Sequence, residues 1–99
     1  LMQLVEFFSP RGSDATLRRY IEALVQDRFF SIEFLKSDGS KRVLNGRLGV
    51  KKHLKGGASC NDPFKYLTVF DVKNQGYRNV ALNTVEAVKV GGFKYNFTA

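Results

Sequence analysis

The sequence has no tryptophan, one cysteine and two prolines, and no carboxylate falls between Asp38 and Asp62. The lone Cys60 excludes an internal disulfide and agrees with a reducing compartment. No apolar run approaches the roughly 20 residues that a membrane-spanning helix needs. The first residues show no charged segment leading into an apolar one, so the expectation is a protein that is not exported, works in a cytoplasm and has no membrane partner. Enzyme motifs are missing as well: no G-x-x-x-x-G-K-[ST], G-x-G-x-x-G, H-E-x-x-H or G-x-S-x-G occurs. The acidic residues are scattered one per element, mostly where a solvent-facing position is expected, and no acid–base pair stands out. The chain reads as a non-enzymatic protein without a cofactor.

What is present is aromatic bulk and positive charge. Ninety-nine residues suffice for one domain. Its core must lean on nine phenylalanines and four tyrosines. The charge is unevenly placed. In residues 1–30, Arg11, Arg18, Arg19 and Arg28 are matched by Glu6, Asp14, Glu22 and Asp27. Residues 31–99 hold 12 basic and five acidic side chains, which is the whole net charge of +7. The densest stretch, KRVLNGRLGVKKHLKGG from Lys41 to Gly57, carries Lys41, Arg42, Arg47, Lys51, Lys52 and Lys55. A one-signed block of this kind is a candidate surface for a polyanion.

Hydrophobic spacing orders the elements. Leu1, Leu4, Val5 and Phe8 fit helical spacing, and a short helix is favoured there before a break at Ser9–Gly12. A strand is the alternative, because the segment is short and ends in two phenylalanines. Ser13 has the character of an N-cap, with Asp14 in the first turn. Leu17, Tyr20, Ile21, Leu24 and Val25 then share one face of an amphipathic helix running to Asp27. From Phe29 the period becomes two: Phe30, Ile32 and Phe34 alternate with Ser31 and Glu33. Asp38-Gly39 signals a tight hairpin into a strand at Lys41–Leu48, where Gly46 suggests a bulge or sharp bend. Further strands are expected at Tyr66–Val72, Tyr77–Leu82, Val85–Val90 and Phe93–Phe97, the last pair joined at Gly91-Gly92. This order predicts a mainly β protein with an N-terminal helix (α+β), a small barrel of five to six strands in which closure hides the edges. Residues 1–12 form an apolar arm, and residues 13–99 the helix plus barrel.

SDGSKRVLNGRLGVKKHLKGG and KYLTVFDVKNQGYRNVALNTVEAVKVGG resemble a family of Sm-like, SH3-like small β-barrel proteins encoded by tailed bacteriophages. The resemblance runs from Ser31 to Tyr95, about two-thirds of the chain. It implies the barrel fold, a phage origin and an infected bacterial cytoplasm. The family is mostly uncharacterised, so it implies little about function.

Arg42, Arg47, Lys51, Lys52 and Lys55 are candidate phosphate contacts, with Gly56 and Gly57 allowing close backbone approach. The plainer use of such residues is a solvated loop. Tyr66 and Tyr77, at strand starts, are candidate base-stacking groups, against core packing as the alternative. Phe70 is assigned to the core. His53 and Cys60 share a loop with Asp62 beyond them, but their spacing matches no metal-ligand pattern. His53 is instead one more phosphate or base contact. The residues thus point to a module binding nucleic acid, DNA or RNA. The alternative is a protein–protein interaction module that binds an acidic host protein and redirects it. Either can act as a homo-oligomer.

Overall fold

A computed structural model describes residues 3–49, 62 and 64–99. Seven strands form one sheet, with a single α-helix after the first strand. Strand β1 (Val5–Pro10) leads into helix α1 (Asp14–Val25), followed by β2 (Phe30–Leu35), β3 (Lys41–Arg47), β4 (Tyr66–Asp71) and β5 (Gly76–Ala81). A 3-10 turn at Leu82–Thr84 precedes β6 (Val85–Val90) and β7 (Phe93–Thr98). The spatial order is β1-β7-β6-β2-β3-β4-β5, antiparallel throughout except for the parallel pair β1–β7.

The helix begins where its cap chemistry dictates. The Ser13 hydroxyl accepts from the Thr16 backbone N–H at 3.1 Å, and Asp14 places its charge at the positive end of the dipole. It ends at Gln26, whose φ of 51° turns the chain into left-handed space while its N–H still bonds to Glu22 O. The Arg28 guanidinium donates to Leu24 O and so satisfies one of the last helical carbonyls.

Leu17, Ile21 and Val25 of α1 lie in one core cluster with Ile32, Leu44, Val69, Val80, Val88, Phe97 and others. Tyr20 meets the rings of Tyr95 and Phe97 edge-on, while Arg18, two residues away, donates to Tyr66 O at 2.7 Å. In a flat sheet β7 and β4 would stand about 19 Å apart, four strand spacings. The sheet therefore curves around α1, with the core on its inner, concave face.

Curvature has two visible aids. A register shift between Glu33 and Phe34 breaks the β2–β6 ladder, as a bulge does. Gly46 allows β3 and β4 to approach so closely that a Cβ there would lie 2.2 Å from Phe70 O. The pair Val90↔Phe93 is closed by Gly91 and Gly92, whose φ angles of 60° and 83° suit a two-residue hairpin turn.

Three expectations need correction. The segment expected to be a short helix at Leu1–Phe8 is, where described, a strand from Val5. So short a piece gains little as an isolated helix, whereas β7 offers it a ladder of backbone partners from Val5↔Phe93 to Pro10↔Thr98. The expected break at Ser9 accordingly starts later, and Pro10 ends an edge strand, where its missing N–H is tolerated. Addition of β1 raises the strand count to seven, and the hydrogen-bonded order is open, with β1 and β5 at its ends. Among the described residues these two edges do not pair.

The acidic residues also differ from expectation, because Glu33 and Asp71 are buried, at 5% and 2% exposure. Glu33 lies between Lys41 Nζ and Lys94 Nζ, each 3.4 Å away. Burial raises its pKa, but the two ammonium groups outweigh that, and it lies below the usual carboxylate value. Asp71 is tied to the β4–β5 turn. It accepts from the Asn74 side chain at 2.6 Å and from the backbone N–H of Lys73 and Asn74. The Asn74 side chain, chiefly, holds its carboxyl below the ordinary range.

Candidate nucleic-acid interface

Strand alternation sorts the candidate residues by face. On β3, Lys41, Val43, Asn45 and Arg47 share the outer, convex face, while Arg42 shares the inner one with Leu44 and Gly46. Arg42 and Arg47 are thus on opposite faces and about 17 Å apart along the strand. The structure does not bring them together. Lys51, Lys52, His53 and Lys55 lie outside the described residues, as do Gly56, Gly57 and Cys60. The chain leads to them from Gly49, two residues past Arg47.

Tyr66 and Tyr77 share one face of the β4–β5 hairpin but occupy its two ends, opposite Ala81 and Phe70 respectively. Tyr66 is 36% exposed beside α1. Tyr77 belongs to the Arg47 end. Arg47 stands in register with Phe70, and Phe70 meets Tyr77 edge-on with centroids 5.3 Å apart. Phe70 is buried at 7% exposure, which agrees with a packing role. On its other side, the Arg47 guanidinium carbon sits 5.0 Å from the centroid of Phe29, and Arg47 Nε donates to Asp27 O at 3.1 Å. A row Phe29–Arg47–Phe70–Tyr77 therefore crosses the outer face, with the Arg47 cation lying over the Phe29 ring.

A second row runs beside it. Lys89, Ser31 and Asn45 are cross-strand neighbours on β6, β2 and β3. The Ser31 hydroxyl donates to Asn45 Oδ1. Lys89 stands directly opposite Lys94, an arrangement of like charges that costs stability unless neutralised. Lys94 is neutralised by Glu33 and, at 4.0 Å, by Glu6. Lys89 is exposed and has no acidic partner among the described residues.

At the ends of β2, β3, β6 and β7 lies an open cavity of about 420 Å³ whose lining includes Phe29, Ser31, Asn45 and Lys89 from the outer face and Gly46 and Phe93 from the inner one. Sequence reasoning missed Phe29, Ser31, Asn45 and Lys89. The signal was there in part: in the doublet Phe29-Phe30 ahead of a two-residue period, only one ring can face the core, and Lys89 alternates with buried Val88 and Val90. Which strands lie side by side was not readable from that alternation.

Among the described residues no three His, Cys, Asp or Glu side chains converge as metal ligands, and no helix is long and apolar enough to cross a membrane. Compared with known proteins, the chain matches no family model, and neither a curated protein nor a solved structure is significantly similar to it.

Proposed function

We propose that this protein is a non-enzymatic nucleic-acid-binding domain of tailed-phage origin. In this reading it is a small SH3-like or Sm-like barrel acting in the infected cell, holding DNA or RNA mainly through phosphates. One observation carries the reading: the +7 charge resides entirely in residues 31–99, and Arg47 and Lys89 border an aromatic cavity that, among the described residues, no carboxylate lines. Arg47, Lys51, Lys52 and Lys55 are the phosphate ligands, His53 an additional contact, and Arg42 a contact from the other face. Tyr77 and Tyr66 are stacking groups at the two ends of one hairpin. Fluorescence anisotropy over a salt series tests this. Five phosphate contacts give a log–log slope of about −4 to −5 on duplex DNA. Reversal of Lys51, Lys52 and Lys55 to Glu abolishes binding with an unchanged circular dichroism spectrum. Failure to bind any DNA or RNA at low salt removes the proposal.

A second reading has its own support. Strand β1 is an edge that exposes Leu4, Val5, Phe7 and Phe8, the last at 69%. Buried apolar anchors of that kind dominate protein interfaces. Under this reading the protein docks on an acidic host protein, and a tagged copy retains that partner in near-stoichiometric amount after nuclease digestion. Release of everything by nuclease refutes it.

A further inference from the structure

The cavity at the ends of β2, β3, β6 and β7, which takes side chains from both faces of the sheet and neither tyrosine candidate, has the makings of a base-binding site. Its volume falls in the range of small-molecule sites and accommodates one nucleobase. Phe29 is 63% exposed and stacks on no other ring of the described residues; its one aromatic-face partner is the Arg47 guanidinium. Phe93, 40% exposed at the start of β7, contributes a second ring from the inner-face side of the strand ends, steadied by Tyr95 and Phe7. The floor is apolar, from Phe30, Gly46, Val72 and Val90. One polar pair interrupts it. Asn45 receives the Ser31 hydroxyl on Oδ1, which leaves the two amide N–H groups to donate to a base edge.

The rim matches a phosphate. Lys89 lines the cavity with no acidic partner among the described residues, Arg47 borders Phe29, and Arg28 stands beside the glycine turn, where a Cβ at Gly91 would lie 3.2 Å from its guanidinium. Aromatic faces with cations at their edges and a hydrogen-bonding group beneath are what a stacked nucleotide requires. A purely aliphatic ligand would leave Lys89 and Asn45 unused, and inorganic phosphate would leave Phe29 uncovered.

We propose that this cavity holds one nucleobase of a single strand, stacked on Phe29 and Phe93, with its phosphate on Lys89 and Arg47. The inference rests on the nucleic-acid reading above and adds to it a preference for unpaired bases.

The experiment compares a 12-nucleotide single strand with an abasic strand of the same phosphate count. The base-bearing strand binds about tenfold more tightly, the contribution expected of one stacked base. Phe29→Ala, at an exposed site, erases that difference, whereas Phe29→Trp preserves it. Because the chain has no other tryptophan, the indole fluorescence of Phe29→Trp reports the site directly: the base-bearing strand quenches it and the abasic strand does not. Lys89→Gln lowers the salt slope by about one. Equal binding of the two strands, or unquenched Phe29→Trp fluorescence, overturns the base site while leaving phosphate binding intact. Loss of both strands' binding in the wild-type protein would remove both readings. A free mononucleotide that binds as tightly as the strand would overturn the assignment to a strand.

Discussion

Gly46→Ala isolates the close approach of β3 to β4. A methyl group there would lie 2.2 Å from Phe70 O and 2.7 Å from Val69 Cγ1. Neither neighbour can swing aside, because the first is backbone within a paired strand and the second belongs to a side chain with no exposure. Relief requires the strands to part by about 1 Å, which weakens the pairing of Gly46 with Asp71 and loosens Val69 against the core. Overpacking of this sort costs about 1–3 kcal/mol, and each ladder hydrogen bond lost adds about 1 kcal/mol. The sum, about 3 kcal/mol, corresponds to a melting point lowered by about 15 °C in a domain of this size. Gly76→Ala is the matched control. Its Cβ would meet nothing nearer than Asn74 O at 3.9 Å, and its φ lies outside the left-handed region. Reduced unfolded-state entropy makes that substitution neutral or stabilising by up to about 1 kcal/mol. Urea unfolding of both variants at pH 7 measures the difference. If the two lie within 1 kcal/mol of each other, the proposed close packing of β3 on β4 is wrong.

The buried carboxylates set the acid limb of stability. Glu33 and Asp71 have lowered pKa values in the fold, so their contributions are complete above the unfolded values and are lost as pH falls through the folded ones. Urea midpoints therefore decline as pH falls through about 4.5, where an unfolded Glu33 is half protonated while the folded one still holds its charge. Glu33→Gln makes this decline shallower and costs about 1–3 kcal/mol at pH 7, since Lys94 loses its nearer partner; an unchanged acid profile would contradict it. Ser13→Ala removes the cap bond to Thr16 and lowers stability by about 1 kcal/mol, read as a shift in urea midpoint at constant m-value.

Much of the fold was legible because its punctuation is local. Ser13 marks the helix start, Asp38-Gly39 and Gly91-Gly92 mark hairpins, and alternation through Val85–Val90 gives β6 its observed bounds. Position β1 was not legible. Leu4, Val5, Phe7 and Phe8 satisfy helical and strand spacing almost equally, and the deciding partner lies at the far end of the chain. Burial of Glu33 was hidden for a related reason: its alternation says outer face, but the lysines that cover it come from β3 and β7. The site shows the same division. Arg47 and Tyr77 could be named from residue type and strand position, yet only the sheet order sets them in one row with Phe29, sends Arg42 to the other face and separates Tyr66 from Tyr77 by the length of a hairpin.

The parallel pairing of β1 with β7 also bears on how the chain folds. Val5 and Phe93 are 88 residues apart, whereas Val90 and Phe93 meet across two glycines. Closing the longer loop costs about 3 kcal/mol more in chain entropy, at about 0.6 kcal/mol per doubling. Strands β2 to β7 form a chain of neighbours that can assemble around α1 before β1 arrives, so β1 docks late. Its contacts then stand largely outside the folding transition state, and they act on the rate of unfolding more than on the rate of folding. The edge that carries the exposed phenylalanines is, on this account, a latch added to a sheet already made.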